Sequence, residues 1–319
     1  MAEQAGEYRK ARIVVVLPER AGQRLDNFLM AELKGLPRSL IYRLLRTGQV
    51  RVNKGRIKAG YRVQADDQVR IPPLNLAEPK AAPTPPQWHL QDLEARIIYE
   101  DSRLMVINKP SGMAVHGGSG LSYGLIEALR ALRTKESSLE LVHRLDRDTS
   151  GCLLVAKRRS MLRWLHGLIR DNAVEKRYLA LLAGELPRKS LEVNAPLRKN
   201  TMKSGERVVR VDPEGKPSLT RFRRLRRFEG ATLVEAQLHT GRTHQIRVHA
   251  AHLGMPLLGD GKYGDRKANA ALRKLGLKRL FLHAFALTFQ LPDGEGRFHI
   301  EAPLDPGLEV VLENLSLTK

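Results

Sequence analysis

The sequence predicts an α+β protein built on a mixed, mostly antiparallel sheet, preceded by a smaller α/β domain. Several strand-like runs are punctuated by a few helical ones without regular βαβ alternation, which argues against a doubly wound parallel fold. Six prolines fall within residues 72–86, a composition that sustains neither a helix nor a central strand and so marks a boundary. The 319 residues suit one large domain plus a small one.

The net charge of +21, from 55 basic against 34 acidic residues, points to a polyanionic partner, either nucleic acid or an anionic membrane surface. The membrane class is disfavoured. The early apolar run of residues 13–17 ends at Pro18, far short of the ~20 residues a spanning helix needs, and no signal-peptide pattern is visible. The lone Cys152 excludes an intrachain disulfide and reads as a small core residue. A cytoplasmic protein is expected.

Residues 1–18 read as a tail leading into one short strand. Leu25, Phe28, Leu29 and Leu33 then recur at helical spacing. Pro37 opens a second helix with Leu40, Ile41, Leu44 and Leu45 inward, so that Arg38, Arg43 and Arg46 face outward; Gly48 stops it. A hairpin-like segment over residues 50–57, turning at Asn53 to Gly55, presents Arg51, Lys54 and Arg56. Eight basic and no acidic residues lie between Arg38 and Arg62, a bias that suits phosphate binding better than a solvated face of mixed sign. A closing strand over residues 69–71 completes a first domain at 19–71. Residues 72–92 are read as an extended linker, and residues 93–319 as the second domain.

In the second domain, strands are expected over residues 97–99 and 104–107, then Asn108-Lys109-Pro110-Ser111-Gly112 and a glycine-rich stretch lacking the Gly-Lys-Ser/Thr of a phosphate loop. A helix over 121–133 leads to a polar knot at residues 141–151, where His143, Arg144, Asp146, Arg147 and Asp148 stand between two apolar runs that hold them rigidly. Ser160 caps a helix with Leu162, Leu165, Leu168 and Ile169 inward. Strands follow over 175–181 and 232–238, separated by a basic loop or hairpin at 196–217. A second dense block, residues 238–250, carries Thr243 as N-cap of a helix that ends at Gly254. His249 and His252, one turn apart there, have zinc-ligand spacing, but Arg242 and Arg247 beside them argue against a cation, and no metal is expected. Strands over 281–289 and 296–301 close the chain.

Read for motifs, HRLDRDTSG resembles the signature of the pseudouridine synthases that act on ribosomal and some transfer RNA, and NKPSG with its following VH, KRYLAL and TGRTHQIRVH resemble the family's other motifs. The stretch RVNKGRIKAGYRVQADDQV resembles the S4 RNA-binding domain. The resemblance implies a pseudouridine synthase fold with Asp146 as nucleophile and Tyr178 beside it. It also implies Arg247 as the arginine paired with the aspartate (Arg242 is the second candidate), Arg144 filling the gap left by a displaced base, and Leu282 packing on the uracil. By residue chemistry alone Asp148 competes with Asp146, since two residues apart in an extended segment they point the same way.

The chemistry suits these residue types. Breaking C1′–N1 and joining C1′ to C5 involves no redox change and adds no group, so no cofactor is expected. A carboxylate is already ionised near neutral pH and needs no partner base. A paired arginine offsets the rise in carboxylate pKa that an RNA polyanion causes, and a stacked base must be flipped to be reached. Within the family, GQRLDNFL, AVHGGSG and SGERVVRV are similar to members acting on large-subunit ribosomal RNA. That RNA is the expected partner of a monomer, with Arg38, Arg43, Arg46, Arg51, Lys54 and Arg56 on its phosphates. The alternatives are a sister enzyme for another ribosomal or transfer RNA, or a non-catalytic RNA-binding or ribosome-assembly factor.

Overall fold

A computed structural model describes residues 11–33, 36, 38–74, 87–117, 123–134, 136, 139–201 and 207–317. The chain divides into two compact units, residues 1–81 and 82–319.

The first unit has strand β1 (Arg12–Val15), helices α1 (Leu25–Glu32) and α2 (Arg38–Arg46), and strands β2 (Arg51–Val52) and β3 (Gln68–Ile71), with sheet order β1-β3-β2, all antiparallel. The helices bury Leu25, Phe28, Leu29, Ile41 and Leu44 against Val52, Val69 and Ile71. One expectation needs correcting. The strand read as the end of a tail is a sheet member, pairing Arg12 with Ile71 through Val15 with Gln68. The 50–57 segment turns where expected, with Val52 and Gly55 exchanging backbone hydrogen bonds at 3.1 and 2.9 Å around Asn53 and Lys54, while the longer partner of β2 is β3. Asp67 anchors that turn. Its buried carboxylate accepts from Asn53 Nδ2 (2.7 Å), the Gln64 amide (2.8 Å) and Tyr61 Oη (3.0 Å), pinning the turn in which Asn53 and Lys54 take positive φ. Pro37 lies outside the described residues.

In the second unit, helix α3 (Gln87–Ala95) occupies residues expected to be extended linker through 92. The next proline after Pro86 is Pro110, so a helix can begin at once, and Leu93 is buried in the main core of the unit. Residues 75–86 lie outside the described residues. The chain continues through β4 (Ile97–Glu100), β5 (Leu104–Lys109), α4 (Leu125–Leu132), β6 (Glu140–Leu141), β7 (Ser150–Ala156), α5 (Arg159–Arg170), β8 (Glu175–Ala183) and β9 (Ser190–Asn194). Then come β10 (Leu197–Thr201), β11 (Arg207–Val211), β12 (Leu219–Phe228), β13 (Ala231–Leu238), α6 (Gln245–His252), α7 (Arg266–Lys274), β14 (Leu282–Gln290), β15 (Arg297–Glu301) and α8 (Pro306–Leu317).

One large sheet runs β4-β5-β7-β14-β8-β13-β12-β9, with β6 paired to β7 and β15 to β14; β10 and β11 form a separate hairpin. Every pair is antiparallel except β7–β14, which run parallel at His283↔Ser150 and Ala284↔Gly151. The fold is therefore the mixed, mostly antiparallel α+β architecture expected. At that parallel contact Gly151 has φ +109°, and a Cβ there would lie 2.2 Å from the Ala284 carbonyl oxygen, so only glycine lets the strands meet. Strand β7 is buried along its whole length, a rigid support immediately after the polar knot.

Candidate active site

The polar knot forms the connection between β6 and β7. Its backbone is fixed largely by Lys109 at the end of β5. This side chain is fully buried, and its ammonium donates to the carbonyls of Pro110 (2.8 Å), Met113 (2.8 Å) and Arg147 (2.9 Å), using all three of its protons. Burial, then repulsion from Arg279, pulls its pKa down to about 7 against the opposing pull of Asp148 and Asp146. Ser111 Oγ donates to the Asp148 carbonyl at 2.7 Å and the Gly112 amide to that of Arg147 at 2.8 Å. The NKPSG segment is thus a bracket for the loop that carries Asp146. Sequence reading had identified the segment without finding this role, because a lysine's carbonyl partners leave no local pattern.

His143 accepts from the Leu154 amide at 3.1 Å, and burial, then Lys176, lowers its pKa to about 4, so it stands neutral as a structural acceptor. At the other end of the loop, Arg279 Nη2 donates to Ser150 Oγ (2.5 Å). Ser150 Oγ lies 2.9 Å from His283 Nδ1, and His283 Nε2 lies 3.1 Å from the Ala302 carbonyl. That directional chain ties the loop to β14.

Between Asp146 and Asp148 the chain is a turn, with the Thr149 amide bonded to the Asp146 carbonyl at 3.2 Å, not the extended segment that aims both side chains one way. Asp148 goes to Arg147 (3.3 Å) and does not line the pocket; Asp146 does. The pocket is a cavity of about 180 Å³ with Tyr178, Ile246, His244, Arg247 and Leu282 among its walls. Tyr178 comes from β8, where Lys176, two residues earlier, shares its face. Burial, then Asp146 and Cys152, raises the Tyr178 phenol above its usual pKa, keeping it protonated. Leu282, first residue of β14 and paired across strands with Ala180 of β8, is 4% exposed and also lines the cavity. Arg144 is exposed and lies along the pocket lining.

Arg247 sits on α6 with Nη1 3.8 Å from Asp146 Oδ2. Its closest partner is another residue. Nε and Nη2 form a bidentate pair with Asp260 at 2.7 and 2.8 Å, and Asp260 Oδ1 also accepts from the amides of Lys262 (2.8 Å) and Tyr263 (3.0 Å). Burial opposes both charges, yet the mutual hydrogen bonds win: the Arg247 pKa is raised and the Asp260 pKa lowered. The arginine is therefore held before any substrate arrives. Asp260 escaped sequence reading because nothing local distinguishes it except two flanking glycines; at Gly259 (φ +78°) a Cβ would meet the Arg279 carbonyl oxygen at 1.9 Å. Arg242 is exposed, donates to the Pro217 carbonyl at 3.1 Å, and makes no ion pair with Asp146.

The expected helix cap at Thr243 is displaced. Helix α6 starts at Gln245, and His244 before it takes the left-handed conformation, φ 55°. Gln245 explains this: its Oε1 accepts from Thr240 Oγ1 (2.8 Å) and the Arg242 amide (2.9 Å), while Nε2 donates to the Leu219 carbonyl and Thr220 Oγ1, both at 3.0 Å. The loop folds around that amide, and His244 turns into the pocket, Nε2 3.7 Å from Asp146 Oδ2. His249 is structural, with its nitrogens 2.8 Å from Thr220 Oγ1 and 3.0 Å from the Ala195 carbonyl, both engaged within the protein. Among the described residues no group of three or more His, Cys, Asp or Glu is placed to hold a metal, and no helix is long and apolar enough to cross a membrane.

In the first unit Arg43, Arg46, Arg51, Lys54 and Arg56 are exposed, and none makes an ion pair among the described residues. Arg38 opens α2, but its side chain is outside the described set. Arg51, Lys54 and Arg56 line one concavity together with Arg70, which sequence reading had not singled out.

Comparison with known proteins places both units. Residues 103–252 match the RNA pseudouridylate synthase family and residues 23–69 the S4 domain. The chain is 54% identical over 302 residues to ribosomal large subunit pseudouridine synthase C of Pasteurella multocida, covering 94% of this chain and 93% of that one. It is likewise 54% identical over 314 residues to the protein of the same name from Escherichia coli K12, covering 97% and 98%. Among solved structures, human RNA pseudouridylate synthase domain containing 4 superposes with a TM-score of 0.61 at 29% identity, covering 72% of this chain and 96% of that one.

Proposed function

Because this chain belongs to the RNA pseudouridylate synthase family, we propose that it converts uridines of large-subunit ribosomal RNA to pseudouridine, with Asp146 as nucleophile and no cofactor. The RNA class is inferred from the near-full-length relatives that carry it in their names. The observation that carries the mechanism is the pocket itself: one carboxylate in a small cavity with a preorganised arginine at 3.8 Å, a phenol kept neutral, and an aliphatic wall.

In this reading a uridine leaves its stack and enters the cavity, with Arg144 occupying the space it vacates. Leu282 and Tyr178, from the adjacent strands β14 and β8, pack against the ring. Asp146 engages the detaching fragment, either the uracil ring or C1′, while the C1′–N1 bond breaks. The uracil turns, C1′ bonds to C5, the C5 proton is lost and N1 gains one, so atoms balance without a co-reactant. Arg247, clamped by Asp260, offers a fixed cation to the Asp146 carboxylate. Residues 19–71 act as a docking module whose exposed cations take phosphates, and residues from 93 onward carry the chemistry.

The test is pseudouridine mapping on large-subunit RNA from cells lacking the protein, complemented with wild type or Asp146→Asn. Wild type restores specific sites and the variant does not. Sites that persist without the protein, or return with the variant, overturn the proposal.

A further inference from the structure

We propose that His244 is a positioning residue for the Asp146 carboxylate, acting as a neutral Nε2–H donor whose tautomer is set by Tyr263. This rests on the reading of Asp146 as the reacting carboxylate.

The tautomer follows from donor and acceptor bookkeeping. Tyr263 Oη accepts from the Val209 amide at 3.0 Å and lies 2.8 Å from His244 Nδ1. Among the described residues, His244 Nδ1 is the acceptor within reach of the phenol's own proton. Nδ1 is then the acceptor, and the single proton of a neutral imidazole sits on Nε2, the nitrogen facing Asp146. The ring is kept neutral mainly by burial. Asp146 opposes that depression, Arg247 and Lys262 reinforce it, and Asp260 opposes it.

The geometry gives the donor its purpose. His244 Nε2 and Arg247 Nη1 share the same nearest carboxylate oxygen, Oδ2, at 3.7 and 3.8 Å, and Oδ1 accepts no hydrogen bond among the described residues. Two converging donors on one oxygen orient the carboxylate and leave the other for the substrate. The arms are linked at their base. Asp260 holds the Arg247 guanidinium and accepts from the Tyr263 amide, and the Tyr263 ring lies 5.1 Å under that guanidinium and edge-on to His244. Both contacts are longer than a hydrogen bond and close when the cavity is filled. The left-handed backbone of His244 fits this role: a non-glycine residue there carries strain, and its side chain makes no cap hydrogen bond to the helix it precedes.

The experiment is the single-turnover rate at saturating RNA for full-length His244→Gln, His244→Asn, Tyr263→Phe and Asp146→Asn, with RNA affinity measured separately. Glutamine places an amide N–H where Nε2–H was, and asparagine cannot reach. Glutamine should keep the rate within about tenfold, while asparagine loses about a hundredfold at unchanged affinity, the scale expected when a reacting group is misplaced by an ångström. A purely backbone role predicts the reverse order, because asparagine suits the left-handed region better. Tyr263→Phe frees Nδ1 to take a proton, so the rate falls and the acid limb of its pH profile moves to higher pH; should His244→Asn fail to fold, this variant is decisive. Asparagine at or above glutamine, or a Tyr263→Phe enzyme with unchanged rate and profile, overturns the inference while an inactive Asp146→Asn leaves the function standing. An active Asp146→Asn overturns both.

Discussion

The arginines of the basic face in the first unit and of the pocket in the second serve in opposite ways. In the first, Arg43, Arg46, Arg51 and Arg56 stand exposed with no carboxylate within ion-pair reach among the described residues. In the second, Arg247 is 6% exposed and committed to two carboxylates, one at hydrogen-bond distance and one just beyond. An exposed, unpaired guanidinium is cheap to redirect and gains by releasing counterions from a phosphate, so its exact position matters little. A buried guanidinium is fixed by its partner and offers geometry instead. The difference teaches where substitutions should be felt: as affinity in the first unit, as rate and stability in the second.

The sharpest way to break that contrast is at the reacting carboxylate. Asp146→Ala should reduce the single-turnover rate by at least about 10⁴-fold with RNA binding and folding intact, the scale on which removal of a nucleophile is felt. A rate within tenfold of wild type would return Asp148 to contention.

Next comes the clamp. Asp260→Ala leaves Arg247 buried without its partner and should cost ~3–5 kcal/mol in chemical denaturation, besides lowering the rate. Adding Arg247→Met should recover part of the stability but none of the activity. The pair also has a pH signature. Because the folded Asp260 pKa is depressed, its stabilisation is fully present above the ordinary carboxylate pKa near 3.8 and is lost as pH falls through the folded value. Denaturation of wild type and Asp260→Asn should therefore converge in acid.

His283 gives a smaller effect in a different window. It is fully buried and its pKa is lowered to about 4, mainly by burial, so the folded state binds fewer protons than the unfolded one. Stability should fall as pH drops from about 6.5 to about 4, by at most ~1.4 kcal/mol per pH unit, and level off below. His283→Gln should flatten that slope. An unchanged slope means the residue does not carry it.

The smallest effects belong to the first unit. Neutralising Arg51, Lys54 or Arg56 singly should flatten the log–log salt dependence of RNA binding by ~1 and leave the saturated rate unchanged. A fall in saturated rate would show that the basic surface shapes the chemistry, and the contrast between units would fail.

Local pattern was enough to expose what depends on neighbours along the chain. Apolar spacing marked α1, α2, α5 and the long strands, the proline run marked a boundary, and the absence of acids between Arg38 and Arg62 marked a face. Motif spelling drew attention to Asp146, Tyr178, Arg247 and Leu282, which the fold brings to one cavity from a loop, two strands and a helix. Distant partners were invisible to the same reading. Asp260 for Arg247, the carbonyls around Lys109, Asp67 under the Asn53 turn, and Tyr263 behind His244 are set by how remote segments pack, and a hydrogen bond across that distance imposes no periodicity on either segment. The left-handed turn at His244 is the clearest case. Its neighbours spell an ordinary helix start, and only the Gln245 amide, gripping residues 219, 220, 240 and 242 together, decides that the ring faces Asp146. Local sequence determines which elements form. The tertiary structure determines which charges must meet, because burial makes an unpaired one too costly to leave.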